Sequence, residues 1–266
     1  MTFNMLGLSD SLLHAVQKTG YTKPTLIQEK AIPVILSGKD IMAAAQTGTG
    51  KTAAFLITII NDLLTNPIEE DRFLAEPRAL IIAPTRELAM QIANDSVQLN
   101  EFTDLHTVTL VGGEDYQKQT RALDLKPVDI VVATPGRLLD FVSNDKLYLG
   151  LVELLVLDEA DRMLDMGFVD AMQEIIGQTP SSRQTLLFSA TFPDSIKQIS
   201  RSIQRDPARV TVESQHQQAV IDQLFYEIKK HERNNALIML FQHYQPKNAI
   251  VFCHTKIQCD EVADML

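Results

Sequence analysis

Short apolar runs alternate along the chain with longer stretches whose apolar positions recur three and four residues apart. The runs are Ile41–Ala44, Ala79–Ala83, Thr107–Val111, Asp129–Ala133, Leu154–Leu157, Thr185–Phe188 and Arg209–Val212. Most are apolar at successive positions rather than alternating, which marks strands covered on both faces. The stretches between them read as helices with recognisable starts. Ser9 and Asp10 can cap a helix whose apolar face is Leu12, Leu13 and Val16, and Thr85 precedes Glu87–Leu99, with Leu88, Ile92 and Leu99 at helical spacing. Strand and helix in alternation predict an α/β fold, a parallel sheet flanked by helices. Glu213–Ala219 is polar and glutamine-rich and reads as a linker. The pattern then restarts with a strand at Gln223–Ile228, a helix at Arg233–His243, a strand at Ala249–Cys253 and a helix at Ile257–Leu266. That is too little chain to bury a core of its own.

Composition narrows the function classes. An apolar share of 45% and a charged share of 22% over 266 residues describe an ordinary globular protein. No apolar run approaches the ~18 residues of a membrane span, and Met1–Asp10 lacks the features of a signal peptide, so a cytoplasmic protein without membrane association is expected. Cys253 and Cys259 are the only thiols, too few for a disulfide framework and without zinc-site spacing. Twenty-four basic against 34 acidic side chains leave a formal charge of −10, the opposite of a protein that holds nucleic acid by bulk electrostatics. Any such contact has to be local, geometric and weak enough to be gated.

Two motifs carry chemistry. Ala45-Gln46-Thr47-Gly48-Thr49-Gly50-Lys51-Thr52 follows a predicted strand and opens a predicted helix, the context of a phosphate-binding loop. Glycines let backbone N–H groups turn toward phosphate oxygens, Lys51 would reach the β- and γ-phosphates, and the Thr52 hydroxyl would hold Mg²⁺. Ala45 stands where the general pattern has glycine. Leu154–Leu157 is a buried strand ending in Asp158-Glu159-Ala160-Asp161, carboxylates at the edge where ligands sit in such sheets. Asp158 suits the Mg²⁺ shell and Glu159 the attacking water. Alone, such a run of acids is more often a solvated helix start. Paired with the upstream loop it is a signature of nucleotide hydrolysis.

Asp158-Glu159-Ala160-Asp161 resembles the namesake motif of the DEAD-box RNA helicases, and further motifs of that family follow in order. Gly20-Tyr21-Thr22-Lys23-Pro24-Thr25 with Gln28 resembles the Q motif, and Phe3 stands at the place of its upstream aromatic. The resemblance implies adenine recognition through the Gln28 amide and a stacked ring, hence ATP rather than GTP. By themselves Tyr21 and Phe3 would more often be packing residues. Pro84-Thr85-Arg86, Gly112-Gly113 and Thr134-Pro135-Gly136-Arg137 resemble motif Ia, the glycine doublet and motif Ib, which implies a grip on the sugar-phosphate backbone of one RNA strand without base reading. Without the family each is a turn before a helix. Ser189-Ala190-Thr191 resembles motif III, which implies coupling to the Asp-Glu-Ala-Asp segment with Asp161 as partner. The alternative is that these hydroxyls cap the helix near Pro193.

The resemblance implies a RecA-like P-loop domain with the Q motif over residues 1–208, a linker over 209–222, and the start of a second RecA-like domain, in which Ile250–Thr255 resembles motif IV, over 223–266. It implies an ATP- and Mg²⁺-dependent RNA helicase acting as a monomer by local unwinding; an ATP-gated RNA clamp that does not unwind shares every motif. The family's γ-phosphate arginines lie in a later motif, and such groups contribute on the order of 10³–10⁵ in rate. The chain as given is therefore expected to bind Mg-ATP and hydrolyse it poorly.

Overall fold

A computed structural model describes residues 2–44, 48–68, 72–212 and 222–266. Two compact units emerge, residues 1–214 and 215–266. In the first, seven strands form one sheet: β1 (Ile41–Ala44), β2 (Ala79–Ile82), β3 (Thr107–Leu110), β4 (Ile130–Ala133), β5 (Leu154–Leu157), β6 (Gln184–Ser189) and β7 (Ala208–Thr211). All pairings are parallel, in the order β3-β4-β2-β5-β6-β1-β7. Parallel strands need crossovers, and helices supply them on both faces. These are α1 (Asp10–Lys18), α2 (Leu26–Leu36), α3 (Lys51–Thr65), α4 (Arg86–Leu99), α5 (Tyr116–Leu123), α6 (Pro135–Ser143), α7 (Ala160–Asp165), α8 (Val169–Gly177) and α9 (Asp194–Ile203).

One core lies on each side of the sheet. Ile81, Val156, Leu186 and Phe188 pack with α2, α3 and α4 on one side. Leu80, Val131, Leu155 and Leu187 pack with α6, α8 and α9 on the other. Neighbouring residues of β2, β5 and β6 thus point into opposite cores, which is why those strands read as continuous apolar runs.

The strand order positions function. Because β1 lies between β6 and β7, the chain passes over β6 and β5 to lay down β2. Two contiguous groups result, β5-β6-β1 and β3-β4-β2. The loops after the first carry the phosphate loop, the acidic motif and Ser189-Ala190-Thr191; the loops after the second carry the other three motifs.

Three expectations require correction or placement. β7 belongs to the sheet, with Arg209 and Thr211 in register with Met42 and Ala44 of β1, so the linker does not begin at residue 209. Its glutamine-rich part, Glu213–Ala219, lies outside the described residues. In the second unit α10 (Arg233–Tyr244) and α11 (Lys256–Met265) form where helices are expected, but residues 223–228 and 249–253 lie outside helix and strand. A strand exists through its ladder of hydrogen bonds, and among the described residues neither segment pairs with another strand. No residue of α10 or α11 is buried. Among the described residues no helix is long and apolar enough to cross a membrane.

Candidate functional site

Ala45, Gln46 and Thr47 lie outside the described residues; the loop is described from Gly48. Gly48 and Gly50 take φ of +83° and +93°, backbone conformations that side chains oppose and glycine accepts. At Gly50 the chain enters α3, in which every residue from Ala53 to Asn61 is buried. A helix enclosed all round cannot drift, so its N-terminal N–H groups are held at the sheet edge, aimed at an anion. Thr52 is half-buried in its first turn. Phe55 meets Phe188 of β6 at 5.4 Å between ring centroids, which locks α3 to the adjacent strand.

Lys51 Nζ lies 3.7 Å from Asp158 Oδ1, with side chains 6% and 2% exposed. Asp158 also accepts the Glu159 N–H at 3.0 Å. Burial pushes the Asp158 carboxyl up to about 6; the Lys51 ammonium opposes the rise and the Glu159 carboxylate adds to it. A buried carboxylate this short of positive charge fits a divalent cation, and Mg²⁺ shared with phosphates needs only one or two carboxylates from the protein. Glu159 itself sits in left-handed backbone at φ 50° and ψ 50°. For a residue other than glycine this costs about 1–3 kcal/mol, a strain that collects at functional sites. Its carboxylate accepts a hydrogen bond from Arg162 Nη1 at 3.2 Å. Arg162 was not singled out in the sequence, where the signal for it was its place three residues after Glu159.

Gln28 is 3% exposed and its amide is engaged at both ends. Oε1 accepts the Thr25 N–H at 2.9 Å, and Nε2 donates to the Gly50 carbonyl at 3.0 Å. The side chain thus joins the start of α2 to the last glycine of the loop. One N–H and one lone pair remain for a base edge. Tyr21 is partly buried against the core. Phe3 departs from its expected role: at 3% exposure it lies within the core, 6.5 Å from the Tyr21 ring, because the short 3₁₀ turn Phe3–Leu6 folds inward. It supports Tyr21 and presents no open face for stacking.

Asp161, Ser189 and Thr191 come together across 30 residues of chain. Thr191 donates to Asp161 Oδ2 from its backbone N–H at 2.9 Å and from its hydroxyl at 3.0 Å. Ser189 Oγ accepts the Asp161 N–H at 3.3 Å and donates to the Thr191 carbonyl at 2.6 Å. Burial alone would raise the Asp161 carboxyl, but these donors outweigh it and hold the group below the ordinary range. The two hydroxyls do not cap α9: Pro193 stands at that cap, with no side-chain hydrogen bond.

On the other half of the edge the structure divides the expected contact residues. Pro84 and Pro135 are buried and offer no surface; Pro135 opens α6 at a position suited to its fixed φ. The Thr85 hydroxyl accepts the Leu88 N–H at 3.3 Å and caps α4, whereas Thr134 makes no such bond to α6. Gly112, Gly113 and Gly136 are exposed. Arg86 pairs with the Glu114 carboxylate through Nη2. Arg137 donates to the Glu114 backbone carbonyl at 3.3 Å and lies over the Tyr116 ring, 5.6 Å from its centroid. Glu114 and Tyr116, which hold both arginines, were not singled out in the sequence; the one hint was their place just after the glycine doublet.

A cation held by the Asp158 carboxyl would be sensitive to acid. A cation requires the ionised form, so protons compete increasingly as pH falls through about 6. Mg-nucleotide affinity is expected to hold near neutrality and to weaken below that point, in a titration of binding from about pH 8 to about pH 5. The Asp158→Asn variant, titrated alongside, supplies the ligand's own pH dependence. Parallel curves for the two proteins would refute the assignment.

A profile of the DEAD/DEAH box helicase family matches residues 25–199. The chain is 44% identical over 267 aligned positions to the ATP-dependent RNA helicase RhlB of Pseudomonas aeruginosa, covering 99% of this chain and 67% of that protein. It is 44% identical to the DEAD-box ATP-dependent RNA helicase RhpA of Helicobacter pylori, covering 100% of this chain and 52% of that one. It thus spans about two thirds of the length of the first relative and about half of the second. A crystal structure of a DEAD box protein from the hyperthermophile Methanococcus jannaschii aligns over 100% of this chain and 69% of its own, with a TM-score of 0.73 and 37% identity. With its parallel sheet, its two groups of motif-bearing loops and these likenesses over nearly its whole length, the chain belongs to the DEAD/DEAH box helicase family.

Proposed function

We propose that the chain is the nucleotide-binding core of an ATP-dependent RNA helicase, coupling ATP binding and hydrolysis to local separation of RNA strands. The observation that carries this reading is the adjacency of β5, β6 and β1, which gathers Lys51, Asp158, Glu159 and the Asp161–Ser189–Thr191 cluster at one sheet edge. Lys51 and the first N–H groups of α3 bind the β- and γ-phosphates. Asp158 and Thr52 would hold Mg²⁺, which when bound supplies positive charge to the phosphate oxygens. Glu159 orients the attacking water and takes its proton. Gln28 offers the adenine edge its remaining donor and acceptor, and Tyr21 lies beside it in sequence on the loop before α2. The hydrogen bond that Ser189 Oγ accepts from the Asp161 N–H, with the two that Thr191 donates to the Asp161 carboxylate, ties β6 to the acidic motif, a route from phosphate chemistry to the rest of the sheet.

RNA lies across the ends of β3, β4 and β2, where Arg86 and Arg137 meet phosphates, the Thr134 hydroxyl is uncommitted to capping, and the exposed glycines allow close approach. These groups suit the backbone and not base edges, so binding is independent of sequence. The formal charge of −10 keeps it weak and dependent on nucleotide. The chain works as a monomer in the cytoplasm.

The test is ATP hydrolysis by the full-length protein carrying this chain, with and without single-stranded RNA, together with separation of a short duplex. RNA is expected to raise ATP turnover at least tenfold, with GTP a poor substitute. ATP turnover indifferent to RNA ends the helicase reading. ATP-dependent retention of RNA with an intact duplex replaces it with a clamp.

A further inference from the structure

The two arginines placed for phosphate contact are not free. Arg86 Nη2 is paired with the Glu114 carboxylate, and the two side chains are 38% and 34% exposed, so the pair lies at the surface where a ligand would arrive. The other terminal nitrogen of Arg86 lies against Gly113: a Cβ built there would stand 2.9 Å from Nη1. The guanidinium is therefore held from two sides, by the carboxylate and by the glycine backbone. Arg137 is anchored to the same residue through the Glu114 carbonyl, at 3.3 Å, and its Nε lies 3.8 Å from Asp140 Oδ2. Each arginine thus stands beside a carboxylate, and the charges of the two pairs cancel.

We propose that Glu114 is an electrostatic mask on this face: its carboxylate occupies Arg86 until a phosphodiester displaces it, and so sets how weakly the protein holds a single strand without nucleotide. The proposal rests on the reading of Arg86 and Arg137 as phosphate contacts. Guanidinium geometry matches carboxylate and phosphate alike, which makes the two anions competitors for one fork. A phosphate that shared Arg86 with Glu114 would sit beside a negative charge, and one that displaced Glu114 would have to break a charge-assisted hydrogen bond. Either course weakens binding. Glu114 does not need to touch the nucleic acid to act; it tunes the residue that does.

The side chain and backbone of Glu114 have separable roles. A glutamine keeps the size and the carbonyl that anchors Arg137, and removes only the charge beside Arg86. Glu114→Gln is therefore expected to bind single-stranded RNA about threefold to tenfold more tightly without nucleotide at low salt, as removal of a partly exposed like charge would produce. The logarithmic dependence of affinity on salt should steepen by about 0.7, one further phosphate neutralised. Because the mask acts on phosphate, single-stranded DNA of the same length should gain by the same factor. Glu114→Ala, which also lacks the charge, should reproduce the gain, while Asp140→Asn, whose carboxylate is farther from its arginine, should gain less.

Fluorescence anisotropy across a salt series decides the matter. Glu114→Gln with unchanged or weaker binding and an unchanged salt slope overturns the mask, as does a gain confined to RNA. Arg86→Ala and Arg137→Ala separate this outcome from a failure of the underlying reading. If either weakens binding while Glu114→Gln leaves it unaltered, the phosphate face stands and the mask falls. If neither weakens binding, both fall.

Discussion

Replacement of Glu159 by glutamine is expected to slow ATP hydrolysis by about 10²–10⁴-fold, the usual contribution of a positioned general base, while Mg-ATP still binds. Glutamine keeps the length of the side chain and removes its capacity to take a proton. The substitution also weakens the hydrogen bond from Arg162, but Arg162 is 57% exposed, and such a pair contributes little to stability. Single-turnover hydrolysis and nucleotide binding, measured on one preparation of the full-length protein carrying this chain, separate the two effects. Near-normal turnover would show that some other group activates the water. Lys51→Ala behaves differently, because it leaves Asp158 buried without its cation. Removing one member of a buried pair costs about 3–5 kcal/mol unless the survivor neutralises itself. Asp158, already raised to about 6, is placed to take up a proton instead. The expected result is loss of Mg-ATP binding at neutral pH together with a lower melting temperature.

The second large effect is expected at Gly50. A Cβ there would stand 2.6 Å from Gln28 Nε2 and 3.0 Å from Thr25 Oγ1, and the residue has φ +93°. Gly50→Ala therefore incurs about 1–2 kcal/mol of left-handed backbone cost. It also displaces Gln28 from the Gly50 carbonyl, a hydrogen bond worth about 1 kcal/mol. Gly48 supplies the control. Its φ is +83° but an added Cβ meets none of the described residues within 4 Å, so Gly48→Ala is expected to incur only the backbone cost. Gly50→Ala should melt several degrees lower than Gly48→Ala and bind Mg-ATP more weakly. Equal melting of the two variants would mean that the Gln28 contact contributes nothing to the loop.

Much of the first unit was legible in its apolar runs, because a strand buried on both faces has to be apolar at successive positions. β7 was read in two ways, as the strand Arg209–Val212 and as the start of a linker at 209; the strand reading holds, through pairing with β1 that its partly buried pattern does not itself reveal. The paired segments expected in the second unit failed for the same reason: a run of apolar residues records a tendency to be covered, not the presence of a neighbour. At the site, the meeting of Lys51 and Asp158 was legible because both stand just after predicted strands, in the two motifs expected to share one ligand. Phe3 was misplaced because an aromatic side chain serves a core and a ligand equally well, and only its enclosure distinguishes them.

The sequence by itself determined the residue types at each strand end, and with them the chemistry we propose there: glycine, lysine and hydroxyl for phosphate, paired carboxylates for metal and water, arginine and glycine for a polymer backbone. Tertiary structure decided which of those ends meet. Backbone ladders are alike from strand to strand, so nothing local dictates that β1 lies between β6 and β7 or that β5 adjoins β6; packing of the helices on the two faces selects that order. Hydrogen bonds between distant residues decided the rest. The Ser189 and Thr191 hydroxyls serve Asp161 and not a helix cap, the Gln28 amide reaches Gly50, and the Glu114 carboxylate holds Arg86.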